Sequence, residues 1–117
     1  MSRRLLFGVL LVLGTALLAS CVYIANLQPI AIFTATPTHG TTPLAVQFDA
    51  TASYDPDGAL AAFLWDFGDG QTASTSVFPF AHVFIVQSTS EVFTVVLTVT
   101  DLEGAQDTAV QNVTVDP

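Results

Sequence analysis

The sequence contains almost no positive charge. Its only basic residues, apart from two histidines, are Arg3 and Arg4, whereas ten Asp and Glu residues lie between Asp49 and Asp116. Residues 5–117 therefore carry a formal charge of −10 and cannot form ion pairs with Lys or Arg. Nucleic acids and anionic lipid surfaces are themselves negative and would repel such a chain. The composition thus excludes nucleic acid as a partner and indicates an acidic, soluble domain.

Cysteine is nearly absent as well. The 117 residues include a single cysteine, Cys21, so no disulfide can form within the chain. The domain must therefore be stabilised by its hydrophobic core alone. Hydrophobic residues make up 51% of the chain and include nine Phe, which is ample material for such a core.

Motifs of enzymes are missing too. The sequence has no Ser-His-Asp nucleophile elbow, no phosphate-binding loop, no dinucleotide fingerprint and no HExxH pattern. His39 and His82 are candidate metal ligands, but neither has a recognisable third ligand nearby, and structural or solvated histidines are the simpler interpretation. The sequence therefore predicts a chain that is not an enzyme.

The N-terminus is basic and then apolar. Two arginines precede an uncharged apolar run from Leu5 to Leu18, which is the order of regions in a signal peptide. The run ends in Leu18-Ala19-Ser20-Cys21. Small residues directly before a lone cysteine are similar to the lipobox of bacterial lipoproteins.

This resemblance implies a lipid anchor at Cys21. Residues 1–20 would be a helical signal peptide, removed after the Cys21 thiol receives a diacylglycerol thioether, and residues 21–28 would be a short tether. The alternative is an uncleaved signal anchor, because Leu5–Leu27 exceeds the roughly 20 residues that span a bilayer. In both cases the remainder faces away from the cytoplasm, since the arginines stay inside. Val22 is not the Asp that often retains lipoproteins in the inner membrane, which permits an outer-membrane location in a diderm organism.

From Pro29 onward the pattern is that of β-strands, and no helix is predicted after residue 28. Alternating apolar residues and turn signals predict about seven short strands, and hence an all-β sandwich of two sheets over residues 29–117. The segment Pro37–Pro43 is predicted to be a turn. The predicted strands are Ile30–Thr36, Leu44–Asp49, Leu60–Phe67, Phe93–Thr100 and Thr108–Val115, with an edge strand or loop at Gln71–Ser76 and an irregular strand at Val77–Phe84.

One string dominates the interpretation of this region: Trp65-Asp66-Phe67-Gly68-Asp69-Gly70. Trp65 and Phe67 lie on one face of a strand, so we expect them in the core rather than as an exposed sugar platform. The two glycines permit a tight turn. Asp66 and Asp69 are candidates for acid–base work, but turn capping is the simpler role because no third group is paired with them.

Together with its flanks, this string resembles the polycystic kidney disease (PKD) domain. The residues that carry the resemblance are Ser53-Tyr54-Asp55-Pro56-Asp57-Gly58, Trp65 to Gly70, Ala81-His82-Val83-Phe84 and Val95 to Asp101. The resemblance implies an immunoglobulin-like β-sandwich with a role in extracellular interaction, adhesion or spacing. In microbes the resemblance also implies that the domain accompanies secreted hydrolases and polysaccharide-binding modules. The chain departs from the family in having Phe84 in place of the frequent Tyr and a longer, glycine-free loop at Ile85–Ser90.

A weaker candidate site lies in the turn before the Trp strand. Asp55 and Asp57 place two carboxylates close together, and carboxylate oxygens suit Ca²⁺, although the twelve-residue EF-hand pattern is absent. Calcium is therefore the one cofactor that the sequence suggests, and only weakly. The function predicted from the sequence is a non-catalytic binding or structural module, anchored in the cell envelope, whose partner is an envelope protein or a polysaccharide. An accessory subunit of a secreted hydrolase or polysaccharide-handling complex is the alternative.

Overall fold

The computed structural model describes residues 25–117, which form eight β-strands and no helix. Within this range there is no helix with the length and apolarity needed to cross a bilayer. The predicted signal-peptide helix, the lipobox and Cys21 lie outside the described residues. The strands are β1 Thr34–Thr36, β2 His39–Thr41, β3 Leu44–Asp49, β4 Leu60–Asp66, β5 Thr72–Ser74, β6 Phe80–Phe84, β7 Glu91–Asp101 and β8 Gln106–Asp116.

The strands form two sheets, which confirms the predicted all-β sandwich. One sheet has three strands in the order β1-β3-β6, and the other has five in the order β2-β8-β7-β4-β5. All pairs are antiparallel except β2 with β8, which run parallel. The β7–β8 hairpin is the longest element, because both strands alternate β-branched residues without a proline or an internal glycine.

Two of the predicted strand assignments were wrong. The segment Pro37–Pro43 contains β2, so it is not only a turn. The first strand is shorter than predicted, because Ile30 forms only an isolated bridge with Tyr54 and regular pairing begins at Thr34. Pairing of β2 with β8, about seventy-five positions away, stabilises residues whose local composition favours a turn.

The core lies between the two sheets and is rich in aromatic rings. Trp65 is fully buried, with ring centroids of Phe33 and Phe80 at 5.1 and 5.0 Å and near-perpendicular planes. Phe48 lies 5.5 Å from both Trp65 and Phe67. The other buried apolar side chains are Ala31, Val46, Ala50, Phe84, Val86, Phe93, Val95, Leu97, Val99, Val113 and Val115.

The strand directions place the first described residues and the end of β8 at opposite poles of the sandwich. The N-terminal pole carries the first described residues and the loops at 50–59 and 102–105, because Asn26 and Leu27 bond to Asp101 and Asp57. The distal pole carries the loops at 67–71 and 85–90 and the end of β8. The candidate sites predicted from the sequence therefore divide between the two poles.

Candidate functional site

The Trp-Asp-Phe-Gly-Asp-Gly string ends β4 at the distal pole. Trp65 and Phe67 are buried in the core, at 0% and 1% exposure, so neither can act as a platform for a sugar. Asp66 accepts a hydrogen bond from the Gly68 N–H at 3.0 Å. Asp69 accepts one from the Gln71 N–H, also at 3.0 Å. Each carboxylate therefore closes a short loop of backbone rather than facing a substrate cleft.

Asp69 also bonds to a histidine that is distant in sequence. Its Oδ2 lies 2.7 Å from Nε2 of His82, and the side chains are only 16% and 12% exposed. The His82 ring stacks on Phe67 with a centroid distance of 3.8 Å and an interplanar angle of 5°. Sequence reasoning named all three residues but did not pair Asp69 with His82, because the pair forms only when β6 crosses to the other sheet.

This Asp–His pair lacks the other parts of a catalytic site. Among residues 25–117, no hydroxyl or thiol is hydrogen-bonded to the His82 ring, so no nucleophile is activated by it. The aromatic stacking and the carboxylate instead hold the ring in place against the core. His39 is similarly occupied, since its Nε2 lies 2.7 Å from Oδ2 of Asp116 on the surface.

The second candidate, the turn with Asp55 and Asp57, lies at the N-terminal pole beside a cleft of about 180 Å³. Burial is the main cause that raises the pKa of Asp55 above 3.8. The side chain of Asp57 and the charge of Asp101 act in the same direction, whereas the hydrogen bond from the Asp57 N–H acts against them. The Asp57 N–H donates to Asp55 at 3.2 Å, while Asp57 accepts from the Leu27 N–H at 2.8 Å. The cleft is lined by Asn26, Asp55, Asp57, Gly58, Ala59, Asp101, Leu102 and Glu103.

Asp101 was named in the sequence only as the end of a family motif, and not as a candidate site residue. It is 3% exposed and accepts hydrogen bonds from the Asn26 amide at 2.7 Å and from the N–H groups of Glu103 and Ala105 at 2.9 Å. The Asn26 bond is the largest cause that lowers the pKa of Asp101, and the backbone N–H groups add to it against the effect of burial. The local signal was an Asp at the end of a long strand, followed by Leu-Glu-Gly, which favours a side-chain-capped turn.

Replacement of Asp101 by Asn is expected to lower the melting temperature at pH 7. The folded-state pKa of Asp101 is lowered, so the stability that its charge contributes is present above about pH 4 and is lost as the pH falls through that lower value. The difference in melting temperature between the wild type and Asp101→Asn should therefore shrink in acid. Thermal melts from pH 2 to 7 measure it, with Glu103→Gln as the control for loss of a neighbouring charge. A difference that does not change with pH would contradict this.

A metal site is not built by these residues alone. Within residues 25–117, no group of three or more His, Cys, Asp or Glu side chains is arranged to hold a metal ion. The carboxylates of Asp57 and Asp101 are already bonded to N–H groups of the chain. Calcium binding at Asp55 and Asp57 stays a prediction from the sequence.

The loop Ile85–Ser90, which departs from the family pattern and contains no glycine, is held by two hydrogen bonds. The Val86 N–H donates to Oγ1 of Thr42 at 3.0 Å, and the Ser90 hydroxyl donates to Asp116 at 2.6 Å. Phe84, which lacks the hydroxyl of the frequent Tyr, is fully buried, and its ring centroid lies 5.0 Å from that of Phe93. The substitution thus places a purely apolar ring in an apolar site.

Comparison with known proteins gives consistent matches. The chain is 38% identical over 79 residues to the collagenase ColQ1 of Bacillus cereus, a match that spans 68% of this chain and only 8% of the collagenase. The crystal structure of the PKD1 domain of Vibrio anguillarum Epp has a TM-score of 0.60 and 34% identity, and the match covers 79% of this chain and 98% of that one.

A third match is to carbohydrate-binding modules of the β-sandwich superfamily, with a TM-score of 0.72 and 32% identity over 80% of this chain and 36% of the other. The sequence family model of the PKD domain matches residues 26–115 of this chain. That range contains both motif turns and all but the final residue of the eight strands. The chain therefore belongs to the PKD domain family.

Proposed function

We propose that this chain is a non-catalytic binding or structural module, held by a lipid on Cys21 at the extracytoplasmic face of a bacterial membrane. The observation that supports a non-catalytic module is that the chain belongs to a family of such modules. In its family motif, moreover, Trp65 and Phe67 are buried and Asp66 and Asp69 cap turns. PKD domains of the relatives are parts of proteases such as a collagenase. That context supports an extracytoplasmic location.

The geometry of the N-terminal pole sharpens the anchoring proposal. Asn26 and Leu27 are bonded to the domain, and Pro29 is fully buried, so the folded unit begins only five residues after Cys21. Five extended residues span at most about 18 Å. A lipid on Cys21 would thus hold the acidic N-terminal pole close to the headgroups and leave the distal pole facing outward. Two or more acyl chains would make that attachment stable.

The mass of the protein purified from its native membrane tests the anchor. We expect a chain that begins at Cys21 and carries the added mass of a diacylglycerol thioether. Cys21→Ser should retain residues 1–20 and carry no lipid, because the thiol is the acceptor and cleavage follows its modification. Ser20→Ala is the matched control, since a small residue before the cysteine is kept. An unmodified Cys21 thiol on a chain that retains Met1 would show the uncleaved signal anchor instead.

The accessory role in polysaccharide handling is the second candidate, and the likeness to carbohydrate-binding modules favours it. Tyr54, at 49% exposure, is the exposed aromatic side chain on the described surface, and it adjoins the Asp55 turn. Stacking of a sugar ring would therefore fall on Tyr54 and not on Trp65. Binding of the purified chain to a glycan array that is lost in Tyr54→Ala would support this candidate. If the chain bound no glycan on the array, the protein-binding module would remain as the proposed function.

A further inference from the structure

Two exposed leucine side chains lie at the N-terminal pole. Leu27 is 53% exposed and Leu102 is 73% exposed. Leu27 directly follows Asn26, and Leu102 directly follows Asp101. The Asn26 amide donates to the Asp101 carboxylate at 2.7 Å. The two leucines, here called the leucine pair, therefore flank a single hydrogen bond at the pole from which the chain leads back to Cys21.

The backbone of the leucine pair is fixed by the fold. The Leu27 N–H donates to Asp57 at 2.8 Å. The turn that carries Leu102 is closed by two of its own N–H groups, which donate to Asp101 at 2.9 Å. A side chain on an ordered backbone loses less conformational freedom on contact than one on a mobile loop. The leucine pair is thus preorganised for contact with a partner surface.

We propose that the leucine pair contacts the surface of the lipid bilayer, so that the N-terminal pole is a membrane-docking surface. This contact rests on the proposed attachment of the chain to a membrane. Asn26 lies five residues after Cys21, and five extended residues span at most about 18 Å. Attachment at Cys21 therefore brings this pole, and not the distal one, to the bilayer. Confinement at the surface raises the effective concentration, so a contact of two leucines is sufficient.

The carboxylates beside the leucine pair limit the depth of the contact and select the lipid. Asp55, Asp57 and Glu103 line the same cleft as Leu102. Charged groups are costly to move into hydrocarbon, so the pole stays at the level of the headgroups and only the leucines approach the acyl chains. Carboxylates are also repelled by the negative surface potential of anionic lipids. The preferred surface is therefore zwitterionic.

Quenching of tryptophan fluorescence by brominated lipids tests the contact. The full chain, purified from its native membrane, would be reconstituted in vesicles of phosphatidylcholine with bromine on the upper acyl chains. Trp65 is fully buried, so the wild type gives the background, and Val83→Trp, at a 47% exposed position on the other sheet, is the control. Leu27→Trp and Leu102→Trp should each be quenched about threefold more than Val83→Trp, because interfacial side chains enter the outer 5–10 Å of the boundary.

Two changes to Leu102→Trp measure what causes its quenching. The added substitution Leu27→Asp should lower the quenching to that of Val83→Trp, because a carboxylate replaces half of the leucine pair, whereas the added substitution Val83→Asp should leave it unchanged. Phosphatidylglycerol in the vesicles should also lower it, because the pole is acidic. Leu27 and Leu102 are exposed, so thermal melts should show these variants folded.

The outcomes separate this contact from the lipid anchor. If Leu27→Trp and Leu102→Trp were quenched no more than Val83→Trp, the contact would be refuted whatever the state of Cys21. Stronger quenching in anionic vesicles would also overturn it, because the carboxylates could not then face the headgroups. The mass of the same sample reports the modification of Cys21. Strong quenching of a chain without lipid on Cys21 would support the contact and refute the lipid anchor alone.

Discussion

Trp65→Ala is expected to lower the free energy of unfolding by about 3–5 kcal/mol, the usual cost of truncating a buried aromatic side chain. Trp65 is fully buried at the centre of a cluster of Phe rings, so the cavity would open where both sheets meet. Small domains have about 5–15 kcal/mol of stability, and this one cannot form a disulfide. We therefore expect a melting temperature lower by more than about 10 °C, measured by circular dichroism or calorimetry.

Trp65→Phe is the matched control for this prediction. It keeps an aromatic ring in the cluster and removes the indole Nε1, a buried donor that has no hydrogen-bond partner among the described residues. An unpaired buried N–H is costly, so its removal offsets part of the lost packing. Trp65→Phe should thus cost clearly less than Trp65→Ala, and Val77→Ala, at a 72% exposed position, about 0.5 kcal/mol or less. Equal losses for Ala and Phe would contradict the central position of the indole.

Gly68→Ala should have the second largest effect, a loss of more than about 2 kcal/mol. Gly68 has φ of +75°, a conformation that costs a residue with a Cβ about 1–2 kcal/mol. A Cβ at this position would also lie 2.6 Å from the carbonyl oxygen of Thr94, which is part of the β7 backbone and cannot rotate away. Chemical denaturation of the variant measures the loss.

Gly70→Ala separates the cost of a positive φ from the cost of the close contact with the Thr94 carbonyl oxygen. Gly70 has φ of +89°, but a Cβ there would have no atom within 4 Å. Its variant should therefore show only the conformational cost of about 1–2 kcal/mol. The difference between the two variants measures the contact between the turn and β7. If Gly70→Ala were as destabilising as Gly68→Ala, close packing of the turn on Thr94 would not be the cause.

The sequence was sufficient for the fold class because its signals are local and agree with one another. Period-two alternation in β7 and β8 predicted two long strands whose inner faces are buried. The same rule placed Trp65 and Phe67 on one buried face. Each of these features depends on residues a few positions apart, and the hydrophobic effect acts on them in any sandwich.

The sites were less predictable, because they are formed by residues distant in the sequence. Asn26 and Asp101 are separated by 75 positions, and their bond exists only because the end of β7 lies beside the first described residues in the folded domain. His82 and Asp69 are closer in sequence, but His82 lies on β6 of the three-stranded sheet and Asp69 lies in the turn that follows β4 of the other sheet. No composition or spacing rule names such partners.

Some features of this chain follow from the sequence alone, and others follow only from its tertiary structure. Composition and alternation were enough to establish the acidic character, the two buried aromatic residues and the sandwich, because charge and burial act residue by residue. Packing of distant segments determined which carboxylates are bonded and that β2 is a strand. Those features depend on strand order and register, which arise from contacts between segments that local propensity does not encode.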